Sequence, residues 1–167
     1  IAFLQKKYFK ARNDFRTRRR SEYFVDQAGG RVSAYDDILQ KRAAILGWDW
    51  RLLASLVYQE SRFDPDVESW AGAVGLMQIM PATGEAYGET DDLTDPEENI
   101  ITGTNYLLWL QEQWEEIPDP QERIKFVLAS YNVGKGHIND ARALAEKYGR
   151  DPDRWEDNVA RYLAALS

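Results

Sequence analysis

Trp50-Arg51-Leu52-Leu53-Ala54-Ser55-Leu56-Val57-Tyr58-Gln59-Glu60 is apolar around most of a helical circumference, so it is expected to form a central, buried helix. Glu60 closes that helix. Counting back from it by three, four and seven residues gives Val57, Leu56 and Leu53, which puts the carboxylate on the face that packs. Desolvation and the negative end of the helix dipole both raise the pKa of a carboxyl group so placed, as a proton donor requires. An ion pair with a core-reaching basic residue such as Arg62 is the alternative, and the helix alone leaves the two readings open.

On either side the hydrophobic period stays helical, and acidic or hydroxyl N-caps, Pro at first positions and Gly at ends recur. Ser33 is expected to cap a helix over 33–46 that ends at Gly47, and Asp49 to start the next. Asp95-Pro96-Glu97-Glu98 and Asp119-Pro120-Gln121-Glu122 open helices over about 96–114 and 120–132. Two more are expected over about 136–148, ended by Gly149, and 153–166, with Trp155, Val159, Tyr162, Leu163 and Leu166 as an inward stripe. No strand pattern, solenoid repeat or low-complexity tract appears, so the fold class is mainly α.

The 167 residues suffice for one domain with a short extension, and 44% hydrophobic content with no apolar run near ~20 residues predicts a soluble globular chain. The absence of Cys excludes a disulfide scaffold and a thiol nucleophile. No secretion signal precedes Ile1, as expected of an intracellular protein or of a mature or trimmed fragment. Residues 1–31 carry 9 Lys+Arg against 3 Asp+Glu, net +6, while residues 32–167 are net −13. The boundary is drawn there: a basic linker or helical extension over 1–31, and the main domain over 32–167. Aromatic residues among the basic ones admit a nucleic-acid arm, but docking on the acidic body is the simpler expectation.

Two further segments bear on chemistry. Ser69-Trp70-Ala71-Gly72-Ala73-Val74-Gly75-Leu76-Met77-Gln78-Ile79-Met80-Pro81 is a glycine-containing loop that permits close approach of a ligand, with Trp70, Met77 and Gln78 offering contact area and amide hydrogen bonds. It lacks the Lys-Ser/Thr ending of a phosphate loop. In Ser130-Tyr131-Asn132-Val133-Gly134-Lys135-Gly136, Tyr131 follows Val127 and Ile124 on an apolar face, so its hydroxyl needs a partner. Core packing and an aid to catalysis are both open to it. His137, the only histidine, has no second ligand at metal spacing, so neither metal nor cofactor is expected.

In this order, Glu60-Ser61, Gly75-Leu76-Met77-Gln78-Ile79-Met80-Pro81 and Ser130-Tyr131-Asn132 with Gly134 and Gly136 resemble the soluble-lytic-transglycosylase family of murein-cleaving enzymes. Asn99-Ile100 and Gly103 with Tyr106-Leu107 extend the likeness across 33–136. The resemblance implies a lysozyme-like helical domain, related to goose-type lysozyme, with a cleft for alternating N-acetylglucosamine and N-acetylmuramic acid. It implies Glu60 as acid/base and Tyr131 as its hydrogen-bonding partner. Ser69 is implied on the substrate's acetamido group, and Met77 and Gln78 along the cleft. Gly75 and Asn132 are implied as structural, while Ser61 either touches substrate or fixes the helix end. Trp70 is the one tryptophan of six assigned to the cleft. Ser130 departs from the Ala more often found before the Tyr-Asn pair.

The arrangement is most similar to the catalytic modules of membrane-bound members. These carry a solute-binding-like domain upstream and a lipid or membrane anchor, with residues 1–31 then the remnant of an interdomain linker. The resemblance places such a protein in the periplasm or cell envelope, at the outer membrane, with peptidoglycan glycan strands as its partner. Only one carboxylate is well placed, because Asp64, Asp66 and Glu68 fall on an expected exposed loop. The expectation is therefore lytic cleavage to a 1,6-anhydromuramic product. A lysozyme-type hydrolase using one of those three acids, or a non-catalytic glycan-binding module, is the alternative.

Overall fold

Asp49 accepts a hydrogen bond from the Arg51 N–H at 2.8 Å and so caps the helix that begins at Trp50. Asp119 does the same for Gln121 N–H at 2.8 Å, with Pro120 fixing the first φ, and Asp95 Oδ1 receives Glu98 N–H at 2.8 Å. Such caps satisfy backbone donors that a helix start leaves unpaired, each worth about 1 kcal/mol. The computed structural model describes residues 31–163, so the basic stretch 1–30 and Leu166 lie outside the described residues. Its helices are α1 (Asp36–Leu46), α2 (Trp50–Ser61), α3 (Pro81–Tyr87), α4 (Pro96–Gln113), α5 (Pro120–Val133), α6 (Lys135–Lys147) and α7 (Ala160–Leu163). Among the described residues the only β pairings are two isolated bridges, Glu68 with Val74 and Val74 with Ile79. None of the described helices is long and apolar enough to cross a membrane.

The described residues form two compact units, 31–106 and 107–163. In the first, α1 packs on α2 through a core that includes Leu39, Ala43, Leu46, Leu53, Ala54 and Val57, joined by Leu76, Met77, Ile79 and Ile100. Gly103 of α4 lies against the Met77 side chain so closely that a Cβ there would strike the sulfur. In the second, α5 packs on α6 around Trp114, Ile117, Phe126, Val127, Ile138 and Ala141. The Trp114 and Phe126 rings meet at 5.4 Å, and the Trp155 ring stands edge-on to Phe126 at 5.4 Å.

Two helix expectations are corrected. The first helix starts at Asp36, not Ser33. Ser33 Oγ accepts from Tyr35 N–H at 3.1 Å while the buried Asp36 carboxylate reaches back to the Ser33 N–H at 2.8 Å, a reciprocal cap that consumes the first turn. The helix expected over 153–166 is broken. Glu156 is extended, Asp157 has φ 57°, and regular α structure resumes only at Ala160. The start of this segment is fixed by partners from α5: the Glu122 carboxylate takes the Trp155 N–H at 2.6 Å, and the Trp155 ring is held on Phe126. Val159 is fully buried, as the apolar stripe requires.

Candidate active site

α2 stops sharply. Arg62 and Phe63, neither a glycine, occupy the left-handed region at φ 57° and 62°, and Arg62 N–H closes on Tyr58 O at 2.8 Å. Left-handed backbone costs a residue with a Cβ about 1 kcal/mol, so the local packing must enforce it. Glu60 lies two residues before this break and is half-buried, on a face whose Leu53 and Val57 are fully buried. Ser61 is buried and donates its hydroxyl to Val57 O at 3.2 Å, which fixes the helix end. Arg62 itself is exposed.

The loop after α2 is a closed hydrogen-bonded device. Ser69 N–H donates to Ala73 O at 2.8 Å and Ser69 Oγ accepts from Ala73 N–H at 2.9 Å, leaving the hydroxyl proton available to another acceptor. Val74 and Ile79 exchange both backbone bonds at 2.9 Å around the Gly75–Gln78 turn. Gln78 has φ 51°, and its amide nitrogen donates to Val67 O and Gly75 O, both at 3.0 Å. Gly75, at φ 74°, has no room for a Cβ because the Asn99 amide occupies that space. The structure thus joins Ser69, Gly75, Met77 and Gln78 in one unit, with Trp70 held 91% exposed at its edge.

Met77, expected along the cleft, has no exposed surface; its side chain is packing, and its N–H donates to Asn99 Oδ1 at 2.8 Å. The Asn99 amide nitrogen donates in turn to Val74 O and Leu93 O, both at 2.9 Å. This fully buried amide is the loop's keystone. Periodicity does not reveal it, although a polar residue beside Ile100 on an inward face was the available signal. Nearby, the buried Glu98 carboxylate receives the Glu89 and Thr90 N–H groups at 2.7 and 2.9 Å. Arg42 binds Thr104 Oγ1 at 2.6 Å and Asn105 Oδ1 at 2.5 Å, and burial lowers its pKa.

Asp64, Asp66 and Glu68 are all exposed. Burial, then the charges of Asp66 and Asp64, raise the Tyr35 phenol pKa, so those two acids direct their field toward the start of α1. A concavity of about 480 Å³ lies near the N-terminal end of α2, lined by residues that include Trp48, Asp49 and Trp50, and Glu60 is not among them. In the second unit, Tyr131 is half-buried in the last turn of α5. Ser130 before it is fully buried and accepts the Trp114 indole N–H at 2.9 Å. That bond accounts for a serine at this position, since alanine would leave the indole donor unpaired. Asn132 follows Tyr131 on the same turn, and His137 is exposed on α6.

A family model described as the transglycosylase SLT domain matches residues 37–153. The membrane-bound lytic murein transglycosylase F of Desulfosudis oleivorans is 43% identical over 126 residues, covering 75% of this chain and 28% of that protein. The protein of the same name from Maricaulis maris is 44% identical over 147 residues, covering 86% of this chain and 31% of its own. A crystal structure of an inactive mutant of lytic transglycosylase Slt from Pseudomonas aeruginosa aligns with a TM-score of 0.57 at 24% identity, over 98% of this chain and 28% of that one. This likeness gives the fold: mainly helical and lysozyme-like. The chain spans under a third of the length of these curated relatives.

Proposed function

The chain belongs to the SLT transglycosylase family, and from that premise we propose that residues 32–167 are the catalytic domain of a peptidoglycan lytic transglycosylase. The observation that carries the reading is the ordered motif set within the matched span: Glu60-Ser61, the Asn99-anchored loop 69–81, and Ser130-Tyr131-Asn132. In this reading Glu60 is the single acid/base. The C-terminal end of α2 and partial burial favour its neutral form, from which it protonates the oxygen leaving C1 of N-acetylmuramic acid. As the C1–O bond breaks, the sugar's own acetamido oxygen stabilises C1, replacing a second carboxylate. Ionised Glu60 then takes the proton of the C6 hydroxyl, whose oxygen bonds to C1 and closes the 1,6-anhydro ring without consuming water. The tethered hydroxyl outcompetes water through its effective molarity.

Tyr131 donates its hydroxyl to the Glu60 carboxylate, an assignment that rests on the motif. Ser69 offers its free hydroxyl proton to the acetamido carbonyl, and the exposed Trp70 ring supplies a face for a sugar. Gly75, Met77 and Gln78 act by holding that loop in shape, with Gln78 able to offer its amide oxygen to the glycan. The relatives are named membrane-bound lytic murein transglycosylases, which supports a site of action for the whole protein in the cell envelope, on murein strands. An anchor and an upstream solute-binding-like domain, joined through residues 1–31, complete the proposal. Mass spectrometry of purified murein digested with the protein tests it. Anhydromuramic products are expected; products heavier by one water would make the enzyme a hydrolase, and no products would leave a glycan-binding module.

A further inference from the structure

The concavity of about 480 Å³ opens where α1 ends and α2 begins, wholly within the first unit, and its volume is that of a small-ligand site. Helix ends set its shape. Gly47 N–H and Trp48 N–H close α1 on Ala44 O and Ala43 O at 3.2 and 2.9 Å, and Asp49 Oδ1 caps α2. Ala43 and Ala44 line it from α1 with too little bulk to fill it, and the buried Trp48 and half-buried Trp50 line it as well. Glu60 follows Trp50 by ten residues, about 15 Å along the axis of α2, so the concavity lies outside the site built around the acid.

Polar groups converge on the same space. The exposed Gln40 amide brings both a donor and an acceptor. Asp49 Oδ2 faces Arg51 Nη1 at 3.5 Å in an exposed pair that costs little to part, and the Arg51 guanidinium lies 5.8 Å from the centre of the Trp50 ring. An indole beside planar amide, carboxylate and guanidinium groups suits a saccharide, whose C–H groups meet the ring while its hydroxyl and acetamido groups meet the polar edges. We propose that this concavity is an auxiliary saccharide site that holds a murein glycan strand without cleaving it, Trp50 stacking on a sugar, Asp49 and Gln40 bonding its polar groups, and Arg51 meeting a carboxylate of the strand. The inference rests on the function proposed above, which supplies the glycan. Two holds on one polymer raise retention of long strands, whereas a fragment too short to span both gains nothing.

Co-sedimentation with purified murein, in a Glu60→Gln background that leaves strands uncut, reads the site. Trp50→Ala is expected to weaken retention about three- to tenfold, and Ala44→Phe, which fills the concavity from an exposed position on α1, should do the same. With Glu60 restored, both variants should keep the wild-type kcat/KM on short soluble murein fragments. The same loss of retention is expected on glycan strands stripped of their peptides; a loss confined to intact murein would assign the concavity to the peptides and overturn the saccharide site. Unchanged retention in Ala44→Phe at an unchanged thermal midpoint would overturn it too, as would equal losses of kcat/KM on short fragments and on intact murein. Wild-type protein that Trp50 helps to retain on murein, but that releases no products, would remove the catalytic reading and leave this site standing.

Discussion

Replacing Asn99 with alanine is the perturbation that most directly tests how the loop 69–81 is built. The side chain is fully buried and makes three hydrogen bonds: Met77 N–H to its oxygen at 2.8 Å, and its amide nitrogen to Val74 O and Leu93 O at 2.9 Å. Alanine orphans the Met77 donor and the Leu93 bond, while Val74 O keeps its bond from Ile79 N–H. At about 1–3 kcal/mol for each of the two buried groups left unpaired, the loss comes to about 2–6 kcal/mol. For a chain of this size that is a drop of roughly 4–24 °C in the midpoint. Thermal unfolding followed by circular dichroism, with urea titration at 25 °C, measures it. A second arm uses Gly75, whose absent Cβ makes room for the Asn99 amide. Gly75→Ala should cost less in the Asn99→Ala background than in the wild type, because the clash with the Asn99 amide is gone and only the left-handed φ of 74° and a tight approach to Leu93 O remain. A loss below about 1 kcal/mol for Asn99→Ala, or strict additivity of the pair, would refute the keystone role.

Ser130→Ala leaves the fully buried Trp114 indole N–H without its acceptor and should cost about 1–3 kcal/mol in urea unfolding. Tyr131→Phe is expected to lower kcat on murein about 10–100-fold with KM little changed, through loss of a hydrogen bond to a charged group. The Glu122 carboxyl is held below the ordinary 4.5 by the Lys125 ammonium and then by the Trp155 N–H. Its contribution to stability is therefore complete above pH 4.5 and is lost as pH falls through the depressed value. Unfolding free energy measured in urea should fall more steeply below pH 4.5 in the wild type than in Glu122→Gln, which has no such titration.

What the sequence discloses is what local chemistry decides. Asp49, Asp95 and Asp119 announce their helix starts because a short acceptor before an apolar period has few other uses. Glu60 stands out because a carboxylate on the face of Leu53 and Val57 conflicts with that face. What stays hidden depends on partners distant in sequence. Trp155 is held by the Glu122 carboxylate and the Phe126 ring, 33 and 29 residues earlier, just before a break at Glu156 and Asp157 that the apolar stripe does not announce. Asn99 reaches back 22 residues to Met77, so neither residue shows the contact alone. Left-handed backbone at Arg62, Phe63 and Gln78 is invisible because those residue types disfavour it, and only packing imposes it. Met77 and Trp70 show the same limit: both are large and apolar on one loop, yet one is sealed in the core and the other stands in solvent.

The claim at the centre is that a single carboxyl group both gives and takes the proton. Glu60→Gln keeps the shape of the side chain and removes its acid chemistry, so turnover of purified murein, read by release of anhydromuropeptides, tests it directly. The account predicts a fall of at least about a thousandfold with unchanged thermal midpoint and unchanged co-sedimentation with murein. Release of anhydromuropeptides at a rate near that of the wild type would contradict it.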